Sequence, residues 1–236
     1  MSASLSDIEL YYAPGGADAN NCILLHDDEA KHCARVMRHK PGDKVYCTDG
    51  KGTVYTTQFI EAGTHTVTLS LQKKETYPNR FQGITAVVPV LKSPDRMEYA
   101  LEKCTELGVT RYLMYTADHS VAKGMKKERW EKIVLAAMKQ SLQVYLPVIS
   151  TAGKLKDVLR MARDEGAVSV YFHQHAEVAL KEYSIHTPHY LIFGPEGGFS
   201  ENELSLLDEC TGIRLTTNRL RAETAITSVI AAIVLK

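Results

Sequence analysis

"FGPEGGFSENEL" (Phe193–Leu204) follows the apolar run "HYLI" (189–192) and leads into residues with helical spacing. A Gly-rich turn between a strand and a helix belongs to an α/β sheet, and such sheets take ligands at the carboxyl ends of their strands. This turn lacks both the lysine of a Walker loop and the G-x-G-x-x-G spacing. Gly194, Gly197 and Gly198 leave backbone uncovered, so a ligand can approach closely. The helix that follows offers free N–H donors, and Ser200 with Glu203 forms a capping box that starts it. Glu196 would repel a phosphate placed there. A neutral or cationic ligand therefore suits the turn, unless it is only a tight structural turn whose carboxylate bonds to nearby backbone.

Outward from this turn, the second part of the chain alternates strand and helix. "ITAVVPVL" (84–91), "RYLMYTA" (111–117), "VSVYF" (168–172), "HYLIF" (189–193) and "IRLT" (213–216) read as strands. Helices are expected at about 94–107, with Ser93 as N-cap and Pro94 as first residue, at about 127–144, and at 154–166. The C-terminal "AETAITSVIAAIVLK" is apolar on nearly every face, so it is expected to be fully buried or packed on another subunit. This alternation predicts an α/β fold with a mainly parallel sheet.

The first part reads differently. "IELYYA", "NCILL", "DKVYCTD", "GTVYTTQFI" and "HTVTLSLQ" are short β-rich runs, and "DGKG" (49–52) marks a hairpin between two of them. One helix, at about 28–39, interrupts them, with Ala30, Cys33, Ala34 and Met37 as its apolar stripe. Such strands predict a small barrel. "KKETYPNRFQG" (73–83) reads as the linker, dividing the chain at 1–75 and 76–236.

Composition excludes several classes. At 236 residues, 44% hydrophobic and 24% charged, the chain can bury an ordinary globular core. No apolar run approaches the roughly 20 residues of a membrane span. "MSASLSDIELYY" lacks a signal-peptide layout, so a cytoplasmic protein is expected. The five cysteines form no C-x-x-C and are expected as free thiols. His173 and His175 at a strand end lack a carboxylate at metal spacing, so no metal is expected. No G-x-S-x-G nucleophile elbow is present.

A second polar junction, "NRLRAETAI" (218–226), carries Arg219, Arg221 and Glu223 just after "IRLT". Beside the 193–204 turn it would complete one crevice; alone it reads equally as a helix start with an acid near the dipole's positive end. Formal net charge is zero, yet basic residues cluster. "KHCARVMRHK" (31–40) holds Lys31, Arg35 and Arg38, and "HSVAKGMKKERWEK" (119–132) holds Lys123 and Arg129. These clusters suit a phosphate backbone or a solvated face.

"LKSPDRMEYALEKCTELGV", "ERWEKIVLAAMKQS", "FGPEGGFSENE" and "RLRAETA", in this order and spacing, resemble the bacterial 16S ribosomal RNA (uracil-N3)-methyltransferases. These lie within the SPOUT superfamily of knotted methyltransferases; "HCARVMRHKPGDKVYCTDGKG" resembles that family's N-terminal segment. The resemblance implies a PUA-like β-barrel that binds RNA, then a SPOUT α/β-knot domain, in a homodimer. It implies S-adenosylmethionine as methyl donor, with no metal, and N3 of one uridine near the decoding region of small-subunit rRNA as the acceptor. A catalytically inactive rRNA-binding or assembly factor of the same fold is the alternative.

The positions that match this family are carried over as expectations. Arg221 would stabilise charge on the uracil, with Glu223 or Glu196 orienting it or taking a proton. The donor would meet Ile192, Phe193, Gly194, Pro195, Glu196, Gly197 and Gly198 on one side. His173, Leu215, Asn218, Leu220, Thr224 and Ala225 would close the other. Lys31, Arg35, Arg38, Lys92, Arg96, Lys123 and Arg129 would hold RNA. The family pattern carries Leu-Gly where Leu215-Thr216 stands, and an arginine where Asn218 stands; a Cβ at 216 narrows the room for backbone contact.

Overall fold

A computed structural model describes residues 8–120, 124–185 and 188–235. The chain divides into two compact units. One comprises the N-terminal residues through Asn79 together with Met138–Leu146; the other comprises Arg80–Ala137 and Pro147 onward.

The N-terminal unit is built on β1 (Leu10–Tyr12), β2 (Cys22–His26), β3 (Lys44–Thr48), β4 (Thr53–Ala62) and β5 (Thr66–Thr76). They form one sheet in the order β1-β3-β4-β5-β2, which curls into a half-barrel with β1 and β2 as its edges. The β3–β4 hairpin turns at "DGKG", where Gly50 (φ +70°) and Gly52 (φ +99°) take the left-handed region. Tyr11, Ile23, Leu25, Cys33, Cys47 and Leu69 fill the interior.

Two expectations change here. The helix expected at 28–39 is a short α-helix, α1 (Asp27–Lys31), followed by a π turn over His32–Val36. Arg38 then leaves helical geometry at φ +58°, and Met37 is 46% exposed. Only Ala30 and Cys33 of the proposed stripe are fully buried. The linker also starts later than expected. Antiparallel pairing with Thr53–Thr56 carries β5 through Thr76, because ladder hydrogen bonds hold a polar segment extended whatever its side chains.

The second unit contains β6 (Ile84–Pro89), α2 (Pro94–Glu106), β7 (Arg111–Tyr115), most of α3 (Lys127–Gln140), β8 (Val148–Thr151) and α4 (Leu155–Asp164). It continues with β9 (Val168–Phe172), β10 (Val178–Ala179), β11 (His189–Ile192), α5 (Glu201–Leu206), β12 (Thr211–Arg214) and α6 (Ala222–Val234). Every strand pair in its sheet is parallel, in the order β10-β12-β9-β11-β6-β7-β8. Each residue of β6 and β11 is buried, as central strands covered on both faces require.

β8 and β10 were not anticipated: one is four residues long and the other two. The last strand lies two residues earlier than "IRLT" suggested, because its neighbours β9 and β10 end at Phe172 and Ala179 and leave Leu215 and Thr216 no ladder partner. α3 stops at Gln140 rather than near 144, where Leu142 turns left-handed (φ +57°) and the Gln143 N–H donates to the Met138 carbonyl. Ser93 stands at the N-cap of α2, but its side chain makes no capping bond. The Ser200 capping box forms as read: Glu203 N–H donates to Ser200 Oγ at 3.1 Å, and Ser200 N–H to Glu203 Oε2 at 3.0 Å. Among the described residues no helix is long and apolar enough to cross a membrane.

Candidate active site

Because the sheet is parallel, the segments that leave β6, β9, β11 and β12 emerge at the same edge. There, within the second unit, lies a cleft of about 890 Å³. The 193–199 turn lines it on one side and residues 215–222 on the other, with Phe172–His175 and Arg96 completing the wall. The two Gly-rich and Arg-rich junctions thus face a single space.

The first wall is held rigidly. Phe193 is buried, stacks on Phe172 with centroids 4.8 Å apart, and its carbonyl accepts a 2.7 Å hydrogen bond from the Tyr115 hydroxyl. Burial raises the Tyr115 phenol well above its usual range, so it stays protonated and donates. Glu196 Oε1 accepts the Lys92 backbone N–H at 3.1 Å, so this carboxylate does bond to backbone, as its structural reading suggested. His119 Nδ1 lies 3.2 Å from the Gly197 carbonyl and 3.1 Å from that of Gly198. Two carbonyl oxygens only accept, so Nδ1 carries the proton. Asp118 Oδ2 accepts from Ser200 Oγ at 2.9 Å, and Lys154 Nζ reaches Oδ1 at 3.0 Å. Those two bonds hold the Asp118 carboxyl below its usual pKa.

At Gly194 and Gly197 there is no spare room for a side chain. A Cβ on Gly194 would stand 3.1 Å from the Phe199 ring, and one on Gly197 3.0 Å from His119 Cβ. A Cβ on Gly198 would meet open space, but its backbone sits at φ +74°, a region that favours glycine. Tyr115, at the end of β7, and Asp118 and His119, just after it, were missed from sequence, since one reads as an ordinary strand residue, the others as an ordinary polar loop, and nothing local announces their partners.

The second wall is looser. The Asn218 N–H donates to Thr216 Oγ1 at 3.3 Å, so the threonine that departs from the family pattern closes its own turn. Leu220 is 36% exposed, and Arg219 and Arg221 are exposed; among the described residues no carboxylate pairs with either arginine. Glu223, in the first turn of α6, is 8% exposed and approaches Arg96, with Oε1 3.5 Å from Nε.

Of the proposed donor contacts, His173, Phe193 through Gly198, Leu215, Asn218, Leu220 and Ala225 line the cleft. Ile192 is buried within β11 and Thr224 is exposed on α6; neither lines it. Burial and the neighbouring His175 lower the pKa of His173, which favours its neutral form. Arg96, read as an RNA contact, lines the cleft itself. Arg129 is held by Glu98 (Nε–Oε1 2.6 Å), Lys31, Arg35, Arg38 and Lys92 are exposed, and Lys123 lies outside the described residues. No group of three or more His, Cys, Asp or Glu among the described residues could hold a metal.

Residues 78–234 match the family profile described as RNA methyltransferase domain. The chain belongs to the RNA methyltransferase family. Residues 25–72 match the RNA methyltransferase PUA domain, so the curled N-terminal sheet is the PUA unit, and the parallel sheet shares the SPOUT-type α/β fold of the TrmH/SpoU tRNA modifying enzyme from A. aeolicus (16% identical, TM-score 0.50).

Family members cover nearly all of the chain. A probable rRNA-methyltransferase from Porphyromonas gingivalis is 30% identical, with 96% of this chain and 97% of that one covered and a TM-score of 0.84. A ribosomal RNA small subunit methyltransferase E from Neisseria gonorrhoeae, solved bound to S-adenosyl methionine, is 26% identical over 95% and 96% of the two chains, with a TM-score of 0.84. The protein of the same name from Mycobacterium bovis is 26% identical over 95% of this chain and 90% of its own.

Proposed function

We propose that this RNA methyltransferase uses S-adenosylmethionine to methylate N3 of one uridine in small-subunit ribosomal RNA, near the decoding region. The observation that carries the reading is the single cleft shared by the 193–199 and 215–222 segments, one rich in open backbone and the other in arginine. Its residues fit the donor. Bare glycine backbone can bond polar groups, Leu215, Leu220 and Ala225 supply apolar surface for an adenine, and Glu196 suits a cation where it would oppose a phosphate. When bound, the donor supplies a methyl group carried on a positively charged sulfur.

The chain's own residues must then prepare the uracil. N3 carries a proton and is a poor nucleophile until that proton leaves to solvent or to a base. The resulting charge spreads over the two flanking carbonyl oxygens, and a guanidinium stabilises it there. Arg221, exposed at the head of α6, takes this catalytic role, with Glu223 and Glu196 as the nearby carboxylates. N3 is engaged in base pairs, so the target must be unpaired or turned out of its stack. Within the PUA unit the exposed Lys31, Arg35 and Arg38 hold RNA phosphates, and within the second unit the exposed Lys92 and Arg129 do the same. α6, apolar on most faces and ending in exposed Val234 and Leu235, supports assembly as a homodimer.

The test is nucleotide-resolution mapping of rRNA methylation in a strain lacking the protein, with restoration by the purified chain and S-adenosylmethionine. Loss and recovery of one N3-methyluridine is the expected result. Donor binding with no methylation of naked rRNA or of small subunits would instead mark an RNA-binding factor.

A further inference from the structure

Arg96 is placed against local electrostatics. It stands at the third position of α2, where the helix dipole disfavours a cation. Its side chain nevertheless lines the cleft, 37% exposed, with Nε turned toward Glu223. Glu223 enters from the first turn of another helix, α6. The pair is half made: 3.5 Å is long for a guanidinium and a carboxylate, and Glu223 Oε2 is buried without a hydrogen-bond partner. An unsatisfied buried carboxylate oxygen is costly and is tolerated where function needs it. Arg219 and Arg221, by contrast, are exposed and have no carboxylate partner among the described residues.

We propose that Arg96 is a second catalytic arginine, which binds the uracil oxygen that Arg221 does not reach, and that Glu223 is the positioning residue that aims it. This rests on the methyltransferase reading above. Deprotonated uracil carries charge on two carbonyl oxygens, one on each side of N3, and a single guanidinium at one edge leaves the other uncompensated. A cation already held by a buried carboxylate stabilises that second oxygen without being ordered at the moment of reaction. Drawing Arg96 toward the base lets a second N–H of the guanidinium complete the bond to Glu223 Oε2. The other charged or titratable groups bordering the cleft are Glu196, Arg219, Arg221, His173 and His175.

The experiment begins with wild-type protein and the uridine found by methylation mapping. If the wild type methylates nothing, the methyltransferase reading fails, whatever the role of Arg96. If it methylates, R96A, R96K and E223Q are compared on an rRNA fragment carrying that uridine, at saturating RNA and donor. The single-turnover rate is expected to fall about 100-fold in R96A, as for loss of one charge-stabilising donor. Recovery in R96K should be partial, because an ammonium supplies charge without the planar fork. E223Q should fall between wild type and R96A.

A second readout needs no donor. With 5-fluorouridine at the target position, fluorine NMR follows N3 ionisation in the complex. Wild type should lower that pKa, and R96A and R96K should each bring it back toward the value in free RNA. Donor affinity should stay within about twofold, since Arg96 is assigned to the base rather than to the donor. Three outcomes would overturn the proposal: an unchanged rate with weakened RNA binding, which makes Arg96 a phosphate contact; a loss confined to donor affinity; or an N3 ionisation that ignores both substitutions in folded protein.

Discussion

The two walls of the cleft are built on opposite principles. The 193–200 turn is tied to two other segments: in residues 115–119, Tyr115 bonds the Phe193 carbonyl, His119 the two glycine carbonyls and Asp118 Ser200, and after β6, Lys92 bonds Glu196. The 215–221 segment has one bond within its own turn and exposes Arg219, Leu220 and Arg221. A wall whose atoms are fixed before the ligand arrives loses little entropy on binding. A wall of exposed long side chains loses more, and it can also adapt to a substrate that must be turned out of an RNA strand. We propose from this contrast that the donor's polar groups meet the first wall and the uracil meets the arginines of the second, whose Leu215, Leu220 and Ala225 face the donor's adenine.

The sharpest way to break this comparison is R221A. If the second wall handles the base, turnover should fall by about 100-fold or more while donor binding, read by calorimetry, changes little. Weak donor binding with normal turnover would reverse the assignment. On the first wall, Y115F removes a donor from a buried carbonyl and should cost about 1–3 kcal/mol of stability. That appears as a lower Tm together with weaker donor affinity; a wild-type Tm would mean the wall is not tied by this bond.

T216A probes the looser wall's own tether. Losing one partly exposed hydrogen bond is worth about 1 kcal/mol, so donor affinity should drop by no more than several-fold. The smallest effect concerns acid. Asp118 has a native pKa below its ordinary value of 3.8, so its tethering of Ser200 and Lys154 is complete above that value. It is lost as pH falls through the lower native pKa. The D118N variant should flatten this part of the unfolding curve between pH 4 and acid. Identical acid profiles for both proteins would show that the tether contributes nothing.

Much of this architecture was legible. The strand-to-helix alternation, the hairpin at "DGKG" and the capping box at Ser200 depend on neighbours a few residues apart, and each appears as read. The turn at 193–204 and the segment at 218–226 were recognisable as partners in one crevice, because parallel strands deliver their ends to one edge. Local patterns misled where the decision was not local. Met37 looked like a stripe residue until a π turn rotated it outward, and "KKET" looked like linker until β4 paired with it. Leu215 and Thr216 looked like strand until both β9 and β10 ran out.

The sequence by itself determined the β-rich and α/β halves, the family, and the open backbone at Gly194–Gly198, because propensity, periodicity and turn chemistry act along the chain. Only the tertiary structure decided that His119 clamps the glycine carbonyls and that Arg96 leans on Glu223 across 127 positions of sequence. Hydrogen bonds and ion pairs form between whatever the sheet order brings together. Spacing along the chain carries no record of which loops will share an edge.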